Sequence, residues 1–241
     1  MDASSEDAAQ VTALFSYVAS VPEDEKAYHM MYGDCEGIPT TNIERQWVNT
    51  IFTDLRGRET ALSYDKAGFV VHRMHSKMSY GDFDDEKLIR NVYFKELEDH
   101  VRGWLGAEHV KFFRFGIRKR HAQFPTSTGK EYDFAQPTTI AHVDATSAST
   151  VEEMTRQFGH DAEEFMARRY QWINVWKPLR GPVNDWPLCL CDASTVQQSS
   201  CDTTDMVYPE YFTENISLRH NEQQRWYFLS DHRADEIIIF K

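Results

Sequence analysis

A histidine and an aspartate stand two positions apart in "TTIAHVDATSAS", residues 138–149. The run leading into them is rich in β-branched residues and reads as a strand. On a strand His142 and Asp144 project from one face, with Cα atoms about 6–7 Å apart. One neutral imidazole and one carboxylate so placed are two of the three donors in the facial triad of a non-haem Fe(II) oxygenase. Alone the spacing is weak, because an exposed His–Asp pair at a strand end is its commoner outcome. The other histidines, among them His72, His75, His109, His121, His160, His220 and His232, form no second pair with recognisable ligand spacing.

Other clusters have plain structural readings. "NVWKPLRGPVNDWPL" carries Trp176 and Trp186 among three prolines and reads as aromatic core plus turns. "RFGIRKR", Arg114 to Arg120, reads as a solvated strand end, and Arg225 beside Trp226 as a cation–π pair. Cys189 and Cys191 sit in an apolar "PLCLCD" run and read as reduced core residues; with Cys35 and Cys201 they make neither a CxxC pair nor a secreted disulfide framework.

The elements that must hold these residues can be sketched from periodicity. Residues 1–10 read as a disordered tail, and 11–241 as a single domain with an N-terminal α/β extension. Residues 54–74 read as short strands broken at Gly57 and Gly68. Residues 82–106 form the clearest helix, capped by Asp82 or Asp84 and ended by Gly103 and Gly106. "EHVKFFRFGIRKR" then resumes as strand. A second helix spans 149–170, with Thr150 and Glu153 in capping-box spacing. Four later runs, "YQWINVWKPL", "WPLCLCD", "QRWYFLS" and "DEIIIFK", read as strands separated by turns. Short strands in succession with helices outside predict a mainly β, double-sheet barrel.

Bulk composition narrows the function classes. Of 241 residues, 41% are hydrophobic and 13% aromatic, enough for a real core. The 26 Lys and Arg against 38 Asp and Glu give a net charge of −12, which repels nucleic acid and anionic lipid and leaves a small molecule as the expected partner. No signal sequence or membrane-spanning run is visible, and a cytoplasmic monomer or homodimer is expected.

The order of the pieces adds a resemblance. "DLRG", "GF" at 68–69, "GA" at 106–107, "VKFFRFGIRKR", "HVD", "NVWKPLRGPVNDWPLCLCD", "QRWYFLSD" and "DEIIIFK" follow one another as in the fungal hydroxylase/desaturase family related to gibberellin desaturase and the cephalosporin methoxylation proteins. The chain resembles that family from about residue 14 to Lys241, most specifically over residues 174–192. The resemblance implies a double-stranded β-helix, Fe(II), 2-oxoglutarate as co-substrate, and oxidation of a fungal secondary metabolite. By match, His142 and Asp144 would be iron ligands. Asn174, Trp176 and Arg118 are expected on the cofactor side of the pocket, and Tyr132, Arg225 and Trp186 on the substrate side.

Relatives continue past the "DEIIIFK" strand with a distal histidine ligand and an arginine for the far carboxylate of 2-oxoglutarate. The resemblance therefore predicts either a longer working oxygenase, or a third ligand drawn from His220 or His232, or a redox-silent descendant. In the last case His142 would act as a general acid or base oriented by Asp144, in a dehydration, isomerisation or pericyclic cyclisation. Without the closing strands, an unpaired sheet edge is expected at the end of the chain.

Overall fold

A computed structural model describes residues 8–32, 37–126 and 132–241. Its strands are β1 Gln10–Ser20, β2 Ala27–Met30, β3 Glu44–Asp54, β4 Phe69–Arg73, β5 His142–Val143, β6 Asn174–Trp176, β7 Cys189–Cys191, β8 Cys201–Val207, β9 Phe212–Leu218, β10 Trp226–Phe228 and β11 Glu236–Phe240. They form three sheets, ordered β1-β3-β10-β7, β4-β11-β6 and β2-β8-β9-β5. The α-helices are α1 Tyr64–Ala67, α2 Glu86–Leu88, α3 Phe94–Leu105, α4 Ser147–Phe158 and α5 Ala162–Met166. The molecule is mainly β with flanking helices.

The "EIIIF" run explains how one sheet is held. Strand β11 is the middle strand of its sheet, antiparallel to both β4 and β6. Ile237 and Ile239 pack under Phe94, Leu97 and Val101 of the α3 region, while Ile238 faces Leu55, Phe69 and Leu229 on the other side. All three are at most 1% exposed, the continuous apolar pattern of a strand covered on both faces. The unpaired edge expected at this end is therefore not found at β11.

The helical run in the eighties and nineties is present with a different start. Asp85, not Asp82 or Asp84, caps it by accepting from the Lys87 amide at 2.8 Å, and a π turn at Ile89–Tyr93 joins α2 to α3. Asp82 instead closes a box with Ser79 on the preceding 3-10 turn. Gly106, with φ of +62°, ends α3 in a left-handed conformation that favours glycine. Helix α4 likewise begins earlier than Thr150: Thr146 and Ser149 form its capping box. Glu153 has another task, accepting from Arg156 and Gln157.

Three expectations need correction. Residues 108–120 form no ladder; Arg118 makes one isolated bridge to Ala135, and the segment is held by rings, Phe112 on Phe94 and Phe113 on Trp172. Gln10 already belongs to β1, so the N-terminal tail is shorter than ten residues, and residues 1–7 lie outside the described ones. Between Gly57 and Gly68 a short helix, α1, replaces strand. The long β1–β3 pair and the β8–β9 pair are further strands without a sequence expectation, and β8–β9 supplies the middle of the sheet that carries the site.

The turn after β6 depends on a close approach. A Cβ at Gly181 would stand 3.0 Å from the Ala234 backbone nitrogen and 3.2 Å from the Arg233 Cα. A larger residue would push on the backbone of the 232–234 loop, against which the 181–183 segment lies, with Val183 bridging His232.

Candidate active site

Strand β5 is two residues long and pairs with β9, placing His142 opposite Ser217. The cavity face of this sheet carries His142, then Ser217 and Asn215 of β9, Thr204 and Met206 of β8, and His29 of β2. Alternation sends Ala141 and Leu218 to the other face, into the core beside Tyr17 and Trp226. The cavity has a volume of about 1960 Å³, and its wall also includes residues of α4 and of the ring-rich 110–117 segment.

Asp144 lines the same cavity as His142, and its Oδ1 lies 3.0 Å from His142 Nε2. The other imidazole nitrogen, Nδ1, is 2.7 Å from the Ile140 carbonyl oxygen. A carbonyl only accepts, so Nδ1 carries the hydrogen, and in the neutral ring Nε2 is an acceptor. Two acceptors at 3.0 Å need a cation between them. A proton there makes an imidazolium–carboxylate pair. A metal ion there has both atoms as ligands, since donors about 2.1 Å from one ion and about a right angle apart are separated by about 3.0 Å. Asn174 Nδ2 donates to Asp144 Oδ2 at 2.9 Å, so the second oxygen is occupied and Oδ1 is held toward the ion position. The pair thus fits two positions of an iron site. Among the described residues no group of three His, Cys, Asp or Glu converges, so the third donor of a facial triad is not among them.

Residues 15–241 match the family described as an oxidoreductase/YMDC permease-like domain. The chain belongs to this family of oxidoreductases. Its relatives include fungal Fe(II)/2-oxoglutarate-dependent dioxygenases and hydroxylase/desaturases. It is 32% identical over 160 residues to the Fe(II)/2-oxoglutarate-dependent dioxygenase nvfI of Aspergillus novofumigatus, a stretch covering 66% of this chain and 55% of that one. The alignment therefore spans about half the length of that relative. The hydroxylase/desaturase poxK of Penicillium oxalicum is 24% identical over 231 residues, covering 85% of this chain and 69% of its own. The solved structure of the iron and alpha-ketoglutarate-dependent endoperoxidase NvfI superposes with a TM-score of 0.84 at 25% identity, covering 96% of this chain and 83% of that chain. No helix among the described residues is long and apolar enough to cross a membrane.

The electrostatics of the oxidoreductase's pair follow from its contacts. Burial pushes the His142 imidazole down, but the Asp144 hydrogen bond, the Ile140 carbonyl and the Asp144 charge outweigh it, so its pKa is raised. The His142 hydrogen bond holds the Asp144 carboxyl below its usual range against burial, and Arg118 and Asn174 add to the effect. Both side chains keep an open side toward the cavity, 29% and 47% exposed.

The structure brings four further sequence-named features into relation with this pair. Asn174 is bonded to it, Trp176 lines the cavity with its ring 5.2 Å from that of His232, and Arg118 lines the cavity while donating to the Gln136 carbonyl. The remaining feature is the "NVW" strand itself, β6, which supplies Asn174 and Trp176 from one face. Three proposed substrate contacts do not line the cavity. Tyr132 donates to the Thr126 carbonyl at 2.8 Å and leans on His121. Trp186, at φ of +53°, packs on Phe124. Arg225 turns to the Glu222 carbonyl at 2.8 Å. Neither candidate third histidine joins the pair: His220 meets the Tyr17 ring edge to face, and the buried His232 meets the Glu236 carbonyl at 3.0 Å.

The strip Thr213, Asn215, Ser217 escaped sequence reading although it alternates strictly in "FTENISL". Its polar residues face inward, reversing the usual assignment of polar positions to solvent. Cys189, Cys191 and Cys201 are free thiols that do not line the cavity, and burial raises the first two to about 12 and about 11, which disfavours the thiolate. Cys35 lies outside the described residues.

Proposed function

We propose that this protein is an Fe(II)/2-oxoglutarate-dependent oxygenase of fungal secondary metabolism, acting on a small molecule by hydroxylation, desaturation or a related oxidation inside a double-stranded β-helix. The convergence of His142 Nε2 and Asp144 Oδ1 on one point, with the tautomer and the carboxylate each held by a separate partner, carries the reading. When bound, iron with 2-oxoglutarate supplies the oxidising power that removes hydrogen from the substrate, with succinate and CO₂ as co-products.

The chain's own residues do the positioning. The Ile140 carbonyl keeps Nδ1 protonated and Nε2 free to bind. Asn174 fixes the Asp144 plane. Trp176 and Arg118 are assigned to the co-substrate side, where the Arg118 charge already acts on Asp144. Rings of the 110–117 segment and Trp172 give the apolar body of a substrate a dry wall. One further protein donor is required, and the described histidines, cysteines and acids do not provide it.

A second reading is favoured by the same 3.0 Å contact, which also suits an imidazolium–carboxylate pair performing metal-free acid–base chemistry. An anaerobic Fe(II) titration followed by succinate measurement with 2-oxoglutarate separates the two. One iron bound per chain and succinate formed only with iron are expected. Turnover that persists under chelator and without oxygen would overturn the oxygenase reading in favour of the second.

A further inference from the structure

Most buried polar atoms in this fold are paired, and the exceptions gather meaning by location. Arg45 of β3 and Asn215 of β9 both line the cavity, and Arg45 Nη1 and Asn215 Oδ1 are buried without a hydrogen-bond partner among the described residues. The other atoms without a partner or ion pair, on Ser16, Gln224 and Trp226, belong to residues that do not line it. Arg45 also has no carboxylate paired with it among the described residues, although a guanidinium stays charged at any working pH. Burial penalises that charge, and burial, with the Arg45 charge adding to it, lowers the pKa of the neighbouring His29. A half-buried guanidinium with no carboxylate beside it among the described residues is costly at a cavity wall unless an anion completes it.

We propose that Arg45 anchors a carboxylate of the organic substrate, in a subsite at the His29 end of the cavity. The substrate class is an organic acid with an apolar body. Position argues for substrate over co-substrate. From His142 on β5 the sheet passes through β9 and β8 before reaching His29 on β2. Three strand spacings amount to about 14 Å along the sheet. That is longer than a five-carbon keto acid chelated beside His142 extends. The inference rests on the proposed oxygenase reading for its meaning, while the anchor itself needs no iron.

The test is metal-free equilibrium binding, read by tryptophan fluorescence, with octanoate, 1-octanol and 2-oxoglutarate as probes. Octanoate is expected to bind at least about tenfold more tightly than octanol, and Arg45→Gln to abolish that advantage, as loss of a charge-assisted hydrogen bond does. His142→Ala should leave it intact. Asn215→Asp, which adds a negative charge to the same cavity, should weaken octanoate and spare octanol, and it serves if Arg45→Gln fails to fold. Equal octanoate binding by the wild type and Arg45→Gln, or octanoate binding no better than octanol, overturns the anchor. If only 2-oxoglutarate responds to Arg45, the carboxylate belongs to the co-substrate and the substrate assignment falls. Absence of iron-dependent turnover with this binding intact would sink the oxygenase reading alone.

Discussion

Two ion pairs in this protein are built from similar parts and end in different states. At Glu236 the carboxylate is 4% exposed and accepts two bonds from Arg56, at 2.7 and 3.0 Å, and two from Arg233, at 2.9 and 3.0 Å. Arg56 spends its remaining donors on the Ser230 and Asp231 carbonyls and Glu59. Every lone pair and donor is spoken for, and the Arg56 guanidinium, with Arg233 assisting against burial, holds the Glu236 carboxyl down at about 2. At His142 and Asp144 the pKa values are also displaced, yet Asp144 Oδ1 has one partner and an open side. A perturbed pKa therefore marks both sites. Unfilled coordination, facing a cavity, marks only one of them as a place where a ligand can act.

The largest contrast is expected on removing each centre. His142→Ala or Asp144→Ala should abolish 2-oxoglutarate-dependent succinate release, because loss of one ligand loosens the ion and spoils its geometry. The same variants should shift stability by less than about 1 kcal/mol, as an open pair contributes little to folding. If either variant unfolds the protein while leaving specific activity intact, the pair is structural. Glu236→Ala should do the reverse, costing about 3 kcal/mol in urea unfolding by leaving Arg56 uncompensated, with activity per folded molecule unchanged.

Acid should find the closed site next. Glu236 has its folded pKa lowered from 4.5 to about 2, so its contribution is complete above pH 4.5 and drains away as pH falls toward 2. The loss is on the order of 3 kcal/mol, and Glu236→Gln should flatten this part of the stability–pH curve. An unchanged slope in that variant would mean that other carboxylates govern acid unfolding. A smaller effect is expected at Asn174, whose removal frees the Asp144 plane. Asn174→Ala should weaken Fe(II) binding roughly 10–100-fold, with succinate release recovering at high iron. Smallest of all, Arg225→Ala should leave turnover unaltered and stability within about 0.5 kcal/mol, since its side chain meets backbone carbonyls away from the cavity.

How much could be read in advance differs between these regions. The pair was legible because a two-residue spacing in extended backbone turns both side chains to one side, although β5 ends at Val143 and Asp144 follows it in a bend. Asn174 was legible in kind, an amide on an otherwise apolar strand that must find a partner, though the partner was not. The Glu236 network was not anticipated, because Arg56 and Arg233 approach it from sequence distances of 180 and 3 residues, and only one of these is local. Side-chain chemistry suggests Tyr132 and Arg225 for the pocket, and the family-like stretch suggests Trp186. Each is instead satisfied by its own neighbourhood, at Thr126, Phe124 and Glu222.

Local pattern in the chain was enough to define a mainly β molecule with two helical regions, a continuous buried strand at "EIIIF", and His142 and Asp144 on one face. These are consequences of backbone periodicity, which acts over a few residues and needs no knowledge of what packs opposite. Strand order and register decided the rest. They set Ser217 across from His142, carried Asn174 to Asp144 from thirty residues away, sent His220 and His232 elsewhere, and left the Arg45 charge open to the cavity. Such neighbourhoods arise from pairings between distant segments. Their free energy belongs to the assembled sheets, and no short stretch of the chain contains it.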